Sequence, residues 1–183
     1  MVRYYRRRRR GFIRRRASKR YSVETTVAAT STTLDPSEQL DGPNDRVIVV
    51  PVTDLQGMRK VKNFTVEGCP ATVAEGTLIA WALVYVPNVR RAGPIDTLAP
   101  FPDAPTSLYE PNQHVIMQGV WNSMDPAPVK RFSRLSRNLN SEDAICLIVR
   151  QYSVDGLDGT DEIPEHYSVP QKMIWTVKYA IAY

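Results

Sequence analysis

The stretch QKMIWTVKYAIAY (residues 171–183) decides the fold class of this chain. Every second residue in it is large and apolar, and the residues between are mostly small or polar; the apolar set is Met173, Trp175, Val177, Tyr179 and Ile181. Successive side chains of a β-strand point to opposite faces, so this alternation predicts a strand with one face in a hydrophobic core.

Seven further segments have the β-branched, apolar composition of strands and are separated by Pro, Gly, Asn and Asp. They are SVETTVAATST (22–32), RVIVVPVTD (46–54), RKVKNFTVEG (59–68), GTLIAWALVYVP (76–87), NQHVIMQGVW (112–121), PVKRFSRLSR (128–137) and DAICLIVRQY (143–152). LIAWALVYV is apolar at every position, which predicts a strand buried on both faces. RKVKNFTVEG shows no clean alternation, so its register is the least defined.

No segment carries the period of an amphipathic helix over three turns, and we therefore predict an all-β fold. Eight short strands, with long connections at 88–111 and 153–170, suit a two-sheet antiparallel sandwich. A single eight-stranded jelly roll has this strand count, although the count alone does not separate it from other sandwiches.

The charge is divided unequally along the chain. Residues 1–20 contain 11 basic and no acidic groups, whereas residues 21–183 contain 13 basic and 19 acidic groups, so the net charge of +5 is the sum of +11 and −6. We predict two parts: an arm (1–20) that is disordered until an anion neutralises it, and a folded body (21–183).

The arm has the composition of a nucleic-acid-binding segment. Arginine is always charged and its planar fork pairs with phosphate oxygens, while aromatic rings can stack on exposed bases. The predicted contact residues are Arg3, Tyr4, Tyr5, Arg6, Arg7, Arg8, Arg9, Arg10, Phe12, Arg14, Arg15, Arg16, Lys19 and Arg20.

Other interpretations of the arm stay open. Arg6–Arg10 with Arg14–Arg16 also fit a nuclear localisation signal, and this role is compatible with genome binding. The RRAS sequence around Ser18 resembles a kinase site, at which phosphate would weaken nucleic-acid binding. A membrane-active arm is disfavoured because its apolar residues are few and poorly grouped.

The body contains further basic clusters in two predicted strands. They comprise Arg59, Lys60 and Lys62 in one strand and Lys130, Arg131, Arg134 and Arg137 in the other. These side chains are candidates for either nucleic-acid contacts or a salt-bridged interface between subunits, and the sequence favours neither.

Several segments together resemble the capsid proteins of small circular single-stranded DNA viruses of the circovirus and cyclovirus kind. They are the Arg-rich arm, VKNFTVEG, GTLIAWALVYVP, SLYEPNQHVIMQGVW and RFSRLSRNLNSEDAICLIVR. The resemblance implies a jelly roll with sheets BIDG and CHEF, in which the eight segments are strands B to I in order. It also implies a shell of sixty copies with the arms inside on a single-stranded DNA genome.

From this resemblance we expect a virion protein that is in the host nucleus during assembly. Its expected partners are copies of itself, the genome, a nuclear import receptor and a cell-surface receptor. The alternatives are a jelly-roll capsid protein of an RNA or satellite virus and a non-viral nuclear module with a β-sandwich body.

We expect no enzymatic activity, cofactor or metal. Neither His114 nor His166 lies in a catalytic motif, and the carboxylates of residues 155–162 lack the spacing of a calcium-binding loop. Cys69 and Cys146 form no CxxC pair, so we expect two reduced, buried thiols. The longest apolar run has nine residues and no secretory signal is evident, so we expect an intracellular chain that is not inserted into a membrane.

Overall fold

A computed structural model describes residues 20–32, 45–54, 57–73, 76–88, 114–125, 127–153 and 171–182. It contains eight strands, each within a predicted segment or a few residues of its ends. They are β1 (Ser22–Thr32), β2 (Asp45–Val50), β3 (Arg59–Thr72), β4 (Thr77–Val86), β5 (Val115–Asn122), β6 (Val129–Leu139), β7 (Ala144–Ser153) and β8 (Gln171–Ala182).

The strands form two antiparallel four-stranded sheets. One has the order β1-β8-β3-β6 and the other the order β2-β7-β4-β5. With β1 to β8 lettered B to I, these orders are BIDG and CHEF, and we use those names for the sheets. The predicted all-β jelly roll is confirmed by this connectivity, because BIDG and CHEF are the strand orders of the two sheets of a jelly roll.

The large face of β8 fills the space between the sheets, as its alternation predicts. Its five apolar side chains are at most 7% exposed. The Trp175 ring lies 5.9 Å from that of Trp81 in the CHEF sheet. The Trp175 indole N–H donates to the Thr30 hydroxyl at 2.8 Å, so this large side chain is buried without losing its hydrogen bond.

Strand β4 is buried on both faces, which confirms the prediction from its continuous apolar run. Ile79, Trp81 and Leu83 face the main core. On the opposite face, Ala80, Ala82 and Val84 belong to a second buried cluster, to which β7 contributes Ala144, Cys146 and Ile148.

A β-bulge explains why β3 lacks clean alternation. Asn63 has a φ of 56°, in the left-handed region that Asn tolerates better than most residues. The pairing of β3 with both neighbours shifts register at this point. Val61 and Phe64, three residues apart, therefore both face the core.

Strand β2 ends before Pro51, four residues earlier than predicted, because proline has no N–H to donate to a neighbouring strand. The Pro51 carbonyl instead accepts a hydrogen bond from Arg59.

The expectation of two buried thiols is half wrong. Cys146 is buried, and burial raises the pKa of its thiol to about 11. Cys69 is exposed, because it lies on the outer side of β3 opposite the exposed Ile174. Within the described ranges, no helix is long and apolar enough to cross a membrane.

Candidate nucleic-acid interface

The outer face of the BIDG sheet, turned away from the core, collects basic side chains from three adjacent strands. Cross-strand partners share a face of a sheet, and the register pairs Lys60 with Asn138, Lys62 with Ser136 and Glu67 with Lys130. We call this surface the basic face. Its cations are Lys60, Lys62, Lys130, Arg134, Lys172 and Lys178.

Among the described strands, Glu67 is the one acidic residue on the basic face. Its carboxylate lies 3.3 Å from the ammonium of Lys130 and 3.5 Å from that of Lys178. The hydrogen bond from Lys130 and the charge of Lys178 lower the Glu67 pKa below its ordinary value. Six cations and one carboxylate leave a charge of +5 on the face, counted over the described residues.

Four of the seven predicted body cations come together on the basic face: Lys60, Lys62, Lys130 and Arg134. Arg131 and Arg137 are on the opposite side of β6, since their partners Val66 and Val61 face the core. Arg134 follows Lys130 at an even spacing on β6, which places it on the same side as Lys130.

Arg59 does not belong to this surface. It is only 5% exposed, and its guanidinium donates to three backbone carbonyls: Pro51 at 2.8 Å, Asp143 at 3.2 Å and Asn140 at 3.4 Å. Since its register position in β3 faces the interior, Arg59 ties the β2–β3 and β6–β7 connections together. The inclusion of Arg59 among candidate nucleic-acid contacts is therefore corrected.

Two lysines of the basic face were not among the contact residues predicted from the sequence. Lys172 and Lys178 lie on the polar side of β8, and Lys178 pairs with Thr65 of β3. Their alternation with the apolar residues of β8 was visible in the sequence. The proximity of Lys178 to Lys62 depends on β8 lying beside β3, a long-range pairing that the strand pattern does not specify.

The basic arm joins the body at the basic face. Tyr21 immediately precedes β1, and the Lys62 ammonium lies 3.8 Å from the centroid of its ring. A cation–π contact at an exposed site contributes about 0.5–1 kcal/mol. This contact holds the last residue before β1 against the basic face, with Arg20 exposed beside it.

The remaining predicted arm residues, at positions 3–19, lie outside the described residues, as do Ser18, His166 and the acidic segment 155–165. His114 is half-buried, and its ring lies 5.8 Å from that of Tyr85. In the described part of the chain, no three His, Cys, Asp or Glu side chains group as metal ligands.

The cations of the basic face suit the repeated phosphates of a nucleic-acid backbone better than a single small metabolite. Lys60, Lys62 and Arg134 have no carboxylate of the described residues within ion-pair distance, so their charges remain available for an anion. Lysine and arginine on a sheet surface contact backbone phosphates without reading base sequence.

Comparisons with known proteins leave the family of the chain open. No protein-family model and no curated protein sequence matches it. Among solved structures, a chain of Desmodium yellow mottle tymovirus is 12% identical, with a TM-score of 0.32 over 87% of this chain and 88% of that chain. A chain of empty-head turnip yellow mosaic virus is 11% identical, with a TM-score of 0.34 over 86% and 80% of the two chains.

A third similar structure is dimeric latent PorU from Porphyromonas gingivalis. It is 12% identical with a TM-score of 0.27, and the match covers 90% of this chain but 13% of that chain. All three TM-scores are below 0.5, so the order of the strands, rather than these likenesses, defines the fold.

Proposed function

We propose that this chain is a viral capsid protein, a non-enzymatic subunit that assembles with its own copies into a closed shell and packages nucleic acid. One observation carries the proposal. An arm with 11 basic residues joins the body at Tyr21, on a sheet face that itself has six cations and one carboxylate. The arm and the basic face then form one continuous cationic surface for a polyanion.

The fold supports this proposal independently of the charge. Jelly rolls are a common architecture of viral capsid subunits, although lectins and other proteins also use them. Exposed apolar side chains occur on both outer faces of the sandwich: Ile48 is 50% and Val120 is 63% exposed on the CHEF sheet, and Val23 is 76% and Val27 is 65% exposed on the BIDG sheet. Contacts between copies would cover those of the CHEF sheet.

The finer assignment rests on the sequence resemblance. Under this finer assignment, the genome is circular single-stranded DNA, the shell contains sixty subunits, and the arms point inward. The arm arginines first serve as a nuclear localisation signal, so that the protein resides in the host nucleus during assembly and afterwards in the virion. A cell-surface receptor would recognise the assembled particle.

Two other assignments remain as alternatives: a jelly-roll capsid protein of an RNA or satellite virus, and a monomeric nuclear nucleic-acid-binding module. Light scattering of the purified chain with DNA separates capsid from module, since we expect particles of uniform size and a monomer would refute the shell. Treating extracted particle contents with DNase and RNase then distinguishes a DNA genome from an RNA genome.

A further inference from the structure

Phe132 occupies an unusual place on the basic face. It lies in β6, the edge strand of the BIDG sheet, and pairs with Thr65, whose side chain also points outward. Its side chain is 59% exposed, and it is the one aromatic among the exposed large hydrophobic residues of the described chain. Burying a phenylalanine is strongly favourable, so this ring offers a solvent-exposed apolar surface to any partner whose charge suits its neighbours.

The neighbours of Phe132 define the chemistry of that partner. Lys130 and Arg134 are two positions away on either side, and alternate residues of a strand lie about 6.6 Å apart on one face. An aromatic ring flanked by two cations matches a polymer that carries flat, apolar groups between negative charges. Single-stranded nucleic acid has this composition, because its bases are free to stack while its phosphates pair with Lys and Arg.

We propose that Phe132 is a base-stacking residue and that the basic face binds single-stranded nucleic acid through it. A duplex presents only phosphates and groove edges to such a flat sheet, because its bases are already stacked on one another. An acidic protein segment would pair with Lys130 and Arg134 but would cover the ring only if an apolar side chain stood between its carboxylates, whereas single-stranded nucleic acid carries a base beside every phosphate. The inference rests on the proposed packaging function and narrows its ligand to a polymer with unstacked bases.

The test compares two oligomers of equal length and charge, a thymidine oligomer and an abasic oligomer that lacks bases. Binding of each to the full-length chain is measured by fluorescence anisotropy, at a salt concentration that weakens the contribution of the arm. We expect Phe132→Ala to weaken thymidine oligomer binding by about 5- to 150-fold, the loss of one base–aromatic stack. Affinity for the abasic oligomer should not change.

Two further variants separate stacking from apolar contact. Phe132→Trp keeps an aromatic ring and should retain the affinity for the thymidine oligomer, whereas Phe132→Leu keeps only apolar volume and should lose it. Because the side chain is exposed, all three variants should unfold at the denaturant midpoint of the wild type. Ultraviolet cross-linking of the thymidine oligomer should yield a modified peptide containing Phe132.

Each contrary result has a distinct meaning. Equal weakening of both oligomers, or full affinity in Phe132→Leu, would overturn base stacking. A change in particle size without a change in oligomer affinity would identify Phe132 as a subunit contact and would equally overturn it. If the wild type bound neither oligomer, the packaging function itself would fail, before any variant was considered.

Discussion

Gly68 and Trp175 are cross-strand partners whose close approach leaves no room for a side chain on the glycine. They pair in β3 and β8, and a Cβ built on Gly68 would lie 2.7 Å from Cε3 of the Trp175 indole. The indole in turn packs on Trp81 of the other sheet. The absence of a side chain at position 68 thus allows the tryptophan pair that joins the two sheets.

Gly68→Ala should therefore destabilise the fold. The added methyl group must displace the indole, and overpacking of a core typically costs about 1–3 kcal/mol. Denaturant unfolding followed by tryptophan fluorescence would measure the loss. Cys69→Ala, at the next position on the exposed side of β3, is the matched control and should leave the midpoint nearly unchanged; combining Gly68→Ala with Trp175→Phe should recover part of the loss.

Arg59 should prove structural, whereas its neighbour Lys60 should prove functional. Arg59→Gln leaves the carbonyls of Pro51, Asn140 and Asp143 without their buried charged donor, at a cost of about 2 kcal/mol or more in unfolding free energy. Lys60→Gln, on the outer face, should change stability by less than about 0.5 kcal/mol. Equal destabilisation by both would contradict the assignment of Arg59 to the interior.

The carboxylate of Asp143 should make stability depend on pH. Burial raises its pKa, but backbone N–H donors from Asn140 and Asn88 and the Tyr85 hydroxyl outweigh burial, so the pKa is below its ordinary value. The Tyr85 hydroxyl, partly buried and donating to this carboxylate, has its own pKa raised to about 12.

A lowered pKa means that the unfolded chain binds the proton more readily than the folded chain does. The contribution of Asp143 is therefore complete above its unfolded pKa of about 4 and is lost as pH falls through the lower folded value. Asp143→Asn should lower stability at neutral pH by about 2 kcal/mol, and its difference from the wild type should shrink in acid. Asp125→Asn, at an exposed position, should change stability by less than about 0.5 kcal/mol at neutral pH.

The two sides of the BIDG sheet should contribute unequally to nucleic-acid binding. Replacing Lys60 and Arg134 by Gln should reduce the slope of log K against log salt by about 0.7 × 2, or about 1.4, for a single-stranded oligomer. Replacing Arg131 and Arg137 by Gln removes the same charge from the opposite side and should change the slope less. Titrations over a range of salt concentrations would measure both, and equal slopes would refute a phosphate track on the basic face.

Deleting residues 1–20 should leave the jelly roll folded, because the hydrogen-bonded register of the described sheets begins at Ser22. The deletion should lower the salt slope for single-stranded nucleic acid by up to about 0.7 × 11, or about 8, and abolish packaging. Circular dichroism and the nucleic-acid content of particles would check the two parts. Loss of the β-sheet spectrum would show that the arm is part of the fold.

Local sequence patterns predicted the strands well, because a strand is marked by alternating apolar and polar residues and by the turn-forming residues at its ends. The strand β8 is the clearest case, with five buried residues at every second position. The pattern of β3 was obscured by the bulge at Asn63, where one residue in a left-handed conformation changes which positions face the core. A bulge has no reliable local signal, so its register required the neighbouring strands.

The sequence grouped the basic residues by strand but did not assign them to faces. Lys60, Lys62, Lys130 and Arg134 were anticipated, but Arg59 was not distinguished from Lys60, although the two adjacent residues point to opposite sides of one strand. Phe132 was not predicted as a contact residue, because whether a strand residue faces solvent depends on which side of its sheet the opposing sheet covers.

The sequence by itself determined that an arm with 11 basic residues precedes an acidic body, and that eight strands are present. Both features depend on residues that are neighbours along the chain. Tertiary structure alone decided that β8 lies between β1 and β3, which brings Lys178 close to Lys62 and places Lys172 on the same face. It also decided that Tyr21 meets Lys62 and that Arg59 is enclosed by three carbonyls. The physical reason is that these contacts join residues distant in sequence, and no local periodicity encodes which strands become neighbours.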